Sequence, residues 1–165
     1  MALKELFEAG HLLNLTPHPL TLFRGEGEAE TLPSHGSVRL EEKVQEVPNW
    51  PLPLVRKWFE GLTVALEPIP ADIRQYAAAN LNGGGADGHI LMVAVSGIVA
   101  EALRDNSLRY EFAQHLGDLL GVEPEVSGRD LDPHLVVIVP DTGPESVVRD
   151  ADGRIIGVRR FYTVR

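Results

Sequence analysis

The chain contains no cysteine in 165 residues, and it holds two methionines, two tryptophans and 6% aromatic residues in all. Without cysteine there can be no disulfide, no thiolate nucleophile and no cysteine-based zinc or iron–sulfur site. The same absence fits a reducing compartment, and a cytoplasmic location is the expectation. Long apolar runs are missing too. The longest, around Ile90–Val95 and Leu135–Val139, are far too short to span a bilayer. The opening stretch Met1–Glu8 is acidic and amphipathic, without the basic and apolar regions of a signal peptide. A broad basic surface is lacking as well: net charge is −9, which argues against duplex nucleic acid as a partner.

What is present describes a globular chain. Hydrophobic residues make up 44% and charged residues 24%, ordinary values for a folded domain. The length suits one domain, 1–165, able to bury a real core. Few Met and Gln, no Cys and 12 Pro are compatible with heat stability. Charge is uneven: residues 149–165 carry five Arg against two Asp, a net +3, whereas the preceding 148 residues carry −12. An acidic body with a small cationic end fits a compact anion. The plainer alternative is a solvated arginine face on a hairpin.

Local patterns predict an α+β fold with a dominant antiparallel meander, a C-terminal β-hairpin and two to four helices. A short helix over 2–9 stops at Gly10. Strands follow over His11–Leu15, Leu20–Arg24, Glu28–Leu32 and Ser37–Val47, separated by turns at Thr16–Pro19, Gly25–Gly27 and Pro33–Gly36. Leu54–Glu60 reads as a helical turn or two, Leu62–Leu66 as a strand, Ala71–Leu81 as a helix and Asn82–Gly88 as a flexible loop. His89–Val95 is β-branched and strand-like. Ser96 and Ser107 are the expected N-caps of two helices, the second with Leu108, Phe112, Leu116, Leu119 and Leu120 on one face and Gly121 as its stop. Val122–Pro133 reads as a polar loop.

Few motifs carry chemistry. Gly83–Gly88 matches G-x-G-x-x-G, but it precedes a strand instead of following one, which disfavours a dinucleotide site. Ser96 sits where a strand gives way to a helix, yet the glycines of a nucleophile elbow are absent. The six histidines, at 11, 18, 35, 89, 115 and 134, form no metal-ligand spacing, and no cofactor or metal is expected. His18 stands out because two prolines flank it. Asp141-Thr142-Gly143-Pro144 offers a carboxylate and a hydroxyl in one turn, suited to a ribose or a base, or simply to joining two strands. In the hairpin around Asp152-Gly153, an even-numbered loop puts Val147 and Arg149 on one face with Ile156, Val158, Arg160 and Tyr162. Gly157, Arg159 and Phe161 then share the other face, offering close backbone approach, a phosphate fork and a stacking plate. No obvious general base or nucleophile accompanies them.

The segments Asn14-Leu15-Thr16-Pro17-His18, Met92–Ser96 into Ile98–Ala102, Pro140–Pro144 and Val148–Arg160 resemble a family of small phage and prophage proteins. That group is similar to the anti-Thoeris sponge proteins of phages, which sequester cyclic ADP-ribose-type signals, some also taking up cyclic oligonucleotides, in symmetric oligomers. The resemblance implies an anti-defence protein of the host cytosol that retains a small anionic nucleotide without cleaving it and self-associates as a dimer or larger. It brings Thr16, His18, Ser96, Asp141, Thr142, Arg149, Arg159 and Arg160 forward as site residues, and the strand-parity argument adds Phe161. Long segments at about 48–88 and 105–133 depart from the family pattern. Two alternatives stand beside this reading: an enzyme acting on a nucleotide or ADP-ribose ligand with His18 or Asp141 as base, and a structural or accessory virion protein.

Overall fold

The computed structural model describes residues 1–25, 27–82 and 90–164. Among these are ten strands and five α-helices, and the class is α+β. The predicted dominant antiparallel meander is not what forms: the sheets are partly parallel. A first sheet has the order β1 (Leu12–Asn14), β6 (Leu91–Ala94), β7 (Leu135–Pro140), β10 (Phe161–Thr163). β1, β6 and β7 run parallel, and only β10 is antiparallel to its neighbour. Parallel strands are covered on both faces and read as continuous apolar runs. That is the character of Leu91-Met92-Val93-Ala94 and Leu135-Val136-Val137-Ile138.

Helices cover this sheet. α1 (Leu3–Glu8) leads into β1 through Gly10, whose φ of +72° glycine tolerates. α2 (Ala71–Leu81) matches the expected helix residue for residue. α3 (Gly97–Ala102) is capped by Ser96, whose side chain accepts from the Val99 N–H at 3.5 Å. α4 (Asn106–Leu120) is capped by Asp105 and not by Ser107: the Asp105 carboxylate accepts from Leu108 N–H at 3.1 Å. Its buried face is Leu108, Phe112, Ala113, Leu116 and Leu120, while Leu119 points out at 38% exposure. Gly121, left-handed at φ +85°, ends it as expected. The predicted loop over Val122–Pro133 instead contains α5 (Gly128–Leu131) and a 3-10 turn over Asp132–His134. Ser127 and Asp130 form a reciprocal capping box there.

The main core lies between the first sheet and α2 to α5, around the fully buried Phe112, Leu91, Val93, Leu116 and Leu81. Each such side chain contributes roughly 1.5–3 kcal/mol through burial. Asp132 and Arg109 meet beneath α4, the Arg109 Nε donating to both carboxylate oxygens at 2.9 and 3.0 Å.

A second sheet has the order β3 (Ala29–Leu32), β2 (Leu20–Phe23), β9 (Ile155–Val158), β8 (Val147–Arg149). The β2–β3 and β8–β9 pairs are the expected antiparallel hairpins, but β2 and β9 are joined in parallel. The third sheet is a long two-stranded hairpin of β4 (Gly36–Glu46) and β5 (Val55–Leu66). Leu54–Glu60, expected as a helical turn, is therefore part of the approach to β5 and of the strand itself. Register explains the change: Trp58 pairs with Lys43 and Phe59 with Glu42, across a bulge between Glu41 and Glu42.

Candidate functional site

Parallel strands place all their carboxyl ends on one edge of a sheet, and open sheets bind ligands outside that edge. Here β1, β6 and β7 end at Asn14, Ala94 and Pro140. Just beyond them, Thr16, Ser96 and Thr142 line one open groove of about 490 Å³. The opposite wall comes from β9 and β10, with Ile155, Ile156, Gly157, Val158 and Tyr162. His18, between Pro17 and Pro19, completes the rim. The volume is in the usual range for a small-molecule site, about 300–1,000 Å³.

Asn14 shapes the Thr16–Pro19 corner. It is fully buried, and the two protons of its amide nitrogen are shared among the carbonyls of His18 (2.9 Å), Leu32 (3.3 Å) and Pro33 (3.2 Å). Its amide oxygen accepts from Thr16 N–H at 3.0 Å. The Thr16 hydroxyl lies 2.6 Å from that oxygen and 2.8 Å from the His18 carbonyl, so its single proton serves one of them. Thr16 is thus largely committed to the turn. Behind it, His35 Nδ1 accepts from Asn14 N–H at 2.9 Å, and its ring stacks on Phe7 at 4.1 Å. Burial lowers the His35 pKa to about 4.

The opposite wall is set by a break in the chain. The predicted single strand through Gly157, Arg159 and Phe161 does not exist. β9 stops at Val158, the chain bends at Arg159–Arg160, and β10 resumes in the other sheet. Ser146, fully buried, fixes this bend: its hydroxyl accepts from Arg159 N–H and Arg160 N–H, each at 3.1 Å. The β8–β9 pairing also slips, with Val147 opposite Val158 but Arg149 opposite Ile155. Gly157 does permit close approach, but by this chain's own β2: an added Cβ would lie 2.5 Å from the Phe23 ring and 2.7 Å from the Thr21 carbonyl. Phe161 packs on the smaller core of Leu3, Leu12, Leu20, Leu22 and Leu32. The aromatic side chain in the groove is Tyr162.

No family model, curated protein or solved structure matches this chain.

Of the nine residues singled out from sequence, the fold gathers Thr16, His18, Ser96 and Thr142 around the groove. Asp141, Arg149, Arg159, Arg160 and Phe161 do not line it. Arg160 is engaged with acidic neighbours, its Nε donating to Asp141 at 2.6 Å and its Nη2 lying 3.5 Å from Glu145. Hydrogen bonding from Arg160, joined by the Gly143 N–H, holds the Asp141 carboxyl below its ordinary range, and Asp141 in turn raises the Arg160 pKa. A carboxylate so stabilised is a weak proton acceptor, which tells against Asp141 as a base. Arg149 closes the hairpin loop by donating to the Gly153 carbonyl at 2.7 Å. Arg159 is exposed, one residue after the lining residue Val158. The G-x-G-x-x-G segment at 83–88 lies outside the described residues; of the predicted loop only Asn82 is described, as the residue that ends α2. Among the described residues no three His, Asp or Glu side chains come together as a metal site requires.

Residues not foreseen as parts of the site are Ile155, Ile156 and Tyr162 on the groove wall, with Asn14 and Ser146 holding the two turns in place. Ile156, Val158 and Tyr162 did share one face in the parity argument, but that face also held Arg149 and Arg160, and Ile155 and Gly157 of the opposite parity line the groove as well, so alternation alone did not mark the wall.

Proposed function

We propose that the chain binds a small nucleotide-type ligand in this groove and retains it without chemical change, the behaviour of an anti-defence sponge. The convergence of Thr16, Ser96 and Thr142, each just past a parallel strand end, with Tyr162 and His18 on one groove carries the reading. The mostly apolar wall and the Tyr162 ring suit a base, against which stacking is worth about 1–3 kcal/mol. The Ser96 and Thr142 hydroxyls suit sugar hydroxyls. Arg160 is held by Asp141 and Glu145, so the exposed Arg159, one residue past the lining Val158, is the guanidinium at this bend open to a phosphate leaving the groove. The resemblance to the phage sponge proteins supports the same ligand class.

The test is mass spectrometry of a heat-released extract after incubation with cyclic nucleotides and cyclic ADP-ribose isomers. Intact ligand is the expected result. Tyr162→Ala should weaken its retention about tenfold or more, from the loss of stacking. A chemically altered product would instead favour an enzyme with His18, the groove's histidine, as proton acceptor. If nothing is retained or converted, the nucleotide reading fails.

A further inference from the structure

The first sheet has a second opening, at the end away from the candidate groove. β7 pairs with β6 from Leu135 onward, but its ladder with β10 begins only at Ile138. Among the described residues, Leu135 and Val136 therefore enter the sheet with no strand on their outer side. Leu103 and Arg104, between α3 and α4, and Val164, just past β10, close over that gap. They help to enclose a cavity of about 220 Å³, smaller and less open than the groove at the other end.

The wall is apolar along Leu103, Leu135, Val136 and Val164, and it carries Arg104 and Arg109. Arg109 is the unusual member. Its side chain is only 13% exposed, and a guanidinium so nearly buried needs partners for its N–H groups. Arginine commonly meets a carboxylate through two parallel N–H bonds from two nitrogens. Here the single Nε faces both oxygens of Asp132, at 2.9 and 3.0 Å. Nη1 and Nη2 make no hydrogen bond among the described residues, and neither is sealed from solvent. Asp132 and the Tyr110 ring, 5.5 Å from the guanidinium carbon, hold the group in place, so little freedom is lost when it meets a ligand. Arg104 adds a second guanidinium, tied through Nε to the exposed Glu101 at 3.1 Å, a surface pair of the kind that contributes little.

These features select the ligand. The open Nη edge of Arg109 calls for a charged acceptor with two oxygens. The volume lies below the range of about 300–1,000 Å³ usual for drug-sized molecules, too small for a nucleotide. The apolar wall disfavours an inorganic anion, which would lose its water there without compensation. The Asp132 charge is already offset by Arg109, which leaves Arg104 to offset that of the ligand. We infer that this cavity is a second binding site, for a small aliphatic carboxylate: its carboxyl group meets Arg109 and Arg104, and its hydrocarbon tail lies along Leu103, Val136 and Val164. The cavity shares no lining residue with the candidate groove, so the inference stands without the nucleotide reading.

The probe is isovalerate, titrated into the full chain and followed by NMR of the Leu and Val methyl groups. Signals of Leu103, Val136 and Val164 should shift and saturate, with a dissociation constant of about 1 mM or lower, an ordinary affinity for so few atoms. The signal of Val158, in the other groove, should stay in place. Isovaleramide has the same shape without the charge and should bind about tenfold more weakly, from the loss of charge-assisted hydrogen bonds. Arg109→Lys keeps a cation beside Asp132 but lacks the two-nitrogen edge, and it should weaken isovalerate by about the same factor. Val136→Phe fills the cavity without altering the Arg109–Asp132 pair and should abolish the shifts at Leu103 and Val164; either variant decides the matter if the other fails to fold. The absence of a saturable shift with isovalerate overturns the proposal. So does equal binding of isovaleramide or of inorganic phosphate, or binding that persists undiminished in Arg109→Lys or Val136→Phe.

Discussion

His35 shows how one side chain ties acid sensitivity to the site's scaffold. Its Nδ1 accepts a backbone N–H from Asn14, so the ring is neutral with its proton on Nε2, which has no partner in the structure. Protonation would set two donors against each other inside the core. Burial depresses its pKa from 6.5 to about 4, so the unfolded chain binds the proton more readily. Its contribution is complete above pH 6.5 and is lost as pH falls toward 4, about 3 kcal/mol in all. His35→Asn keeps an acceptor but does not titrate there, so denaturant melts at pH 7 and pH 4.5 should differ less in the variant than in the parent. Nothing in the sequence marked His35 above the other five histidines. Its burial depends on Phe7, 28 positions away, stacking flat on the ring. His18, flanked by prolines, was conspicuous, and it does reach the groove rim.

Among elements, those set by local pattern were legible and those set by pairing were not. α2 was readable end to end because its apolar spacing is helical. α4 was readable as a helix, but with two capping residue types two positions apart its start was ambiguous, and Asp105 supplies the cap. The first part of β5 misled because Trp58 and Phe59 stand side by side. Adjacent apolar residues face opposite sides of a strand and break the alternation that would reveal one. The single C-terminal strand was misread for a related reason: periodicity does not register a bend held by Ser146, 13 residues before it. The β2–β9 junction yields a direct test. Replacing Gly157 with Val forces atoms against the Phe23 ring and the Thr21 carbonyl. The expected loss is about 1–3 kcal/mol, read as a lower denaturation midpoint with unchanged slope.

For the whole molecule, the parallel pairing of β1, β6 and β7 could not be seen in advance, because each partner lies some 40 to 80 residues from the next. The α+β class and the one-body organisation followed from composition and segment lengths; the mixed sheet did not. The last strand completes that sheet by pairing Phe161 with Pro140 and Thr163 with Ile138. Deleting residues 161–165 should uncover the edge of β7 and the packing of Phe161. A loss of about 3 kcal/mol corresponds to a melting temperature roughly 10 °C lower, which calorimetry would measure. The same arrangement governs how the chain emerges during synthesis. The β4–β5 ribbon pairs only with itself and can close while the rest is still being made. β1 has no partner until β6 appears, and the groove has no far wall until β9 and β10 leave the ribosome. The exposed Trp50 and Leu52 are thus displayed well before the groove between the two larger sheets is complete.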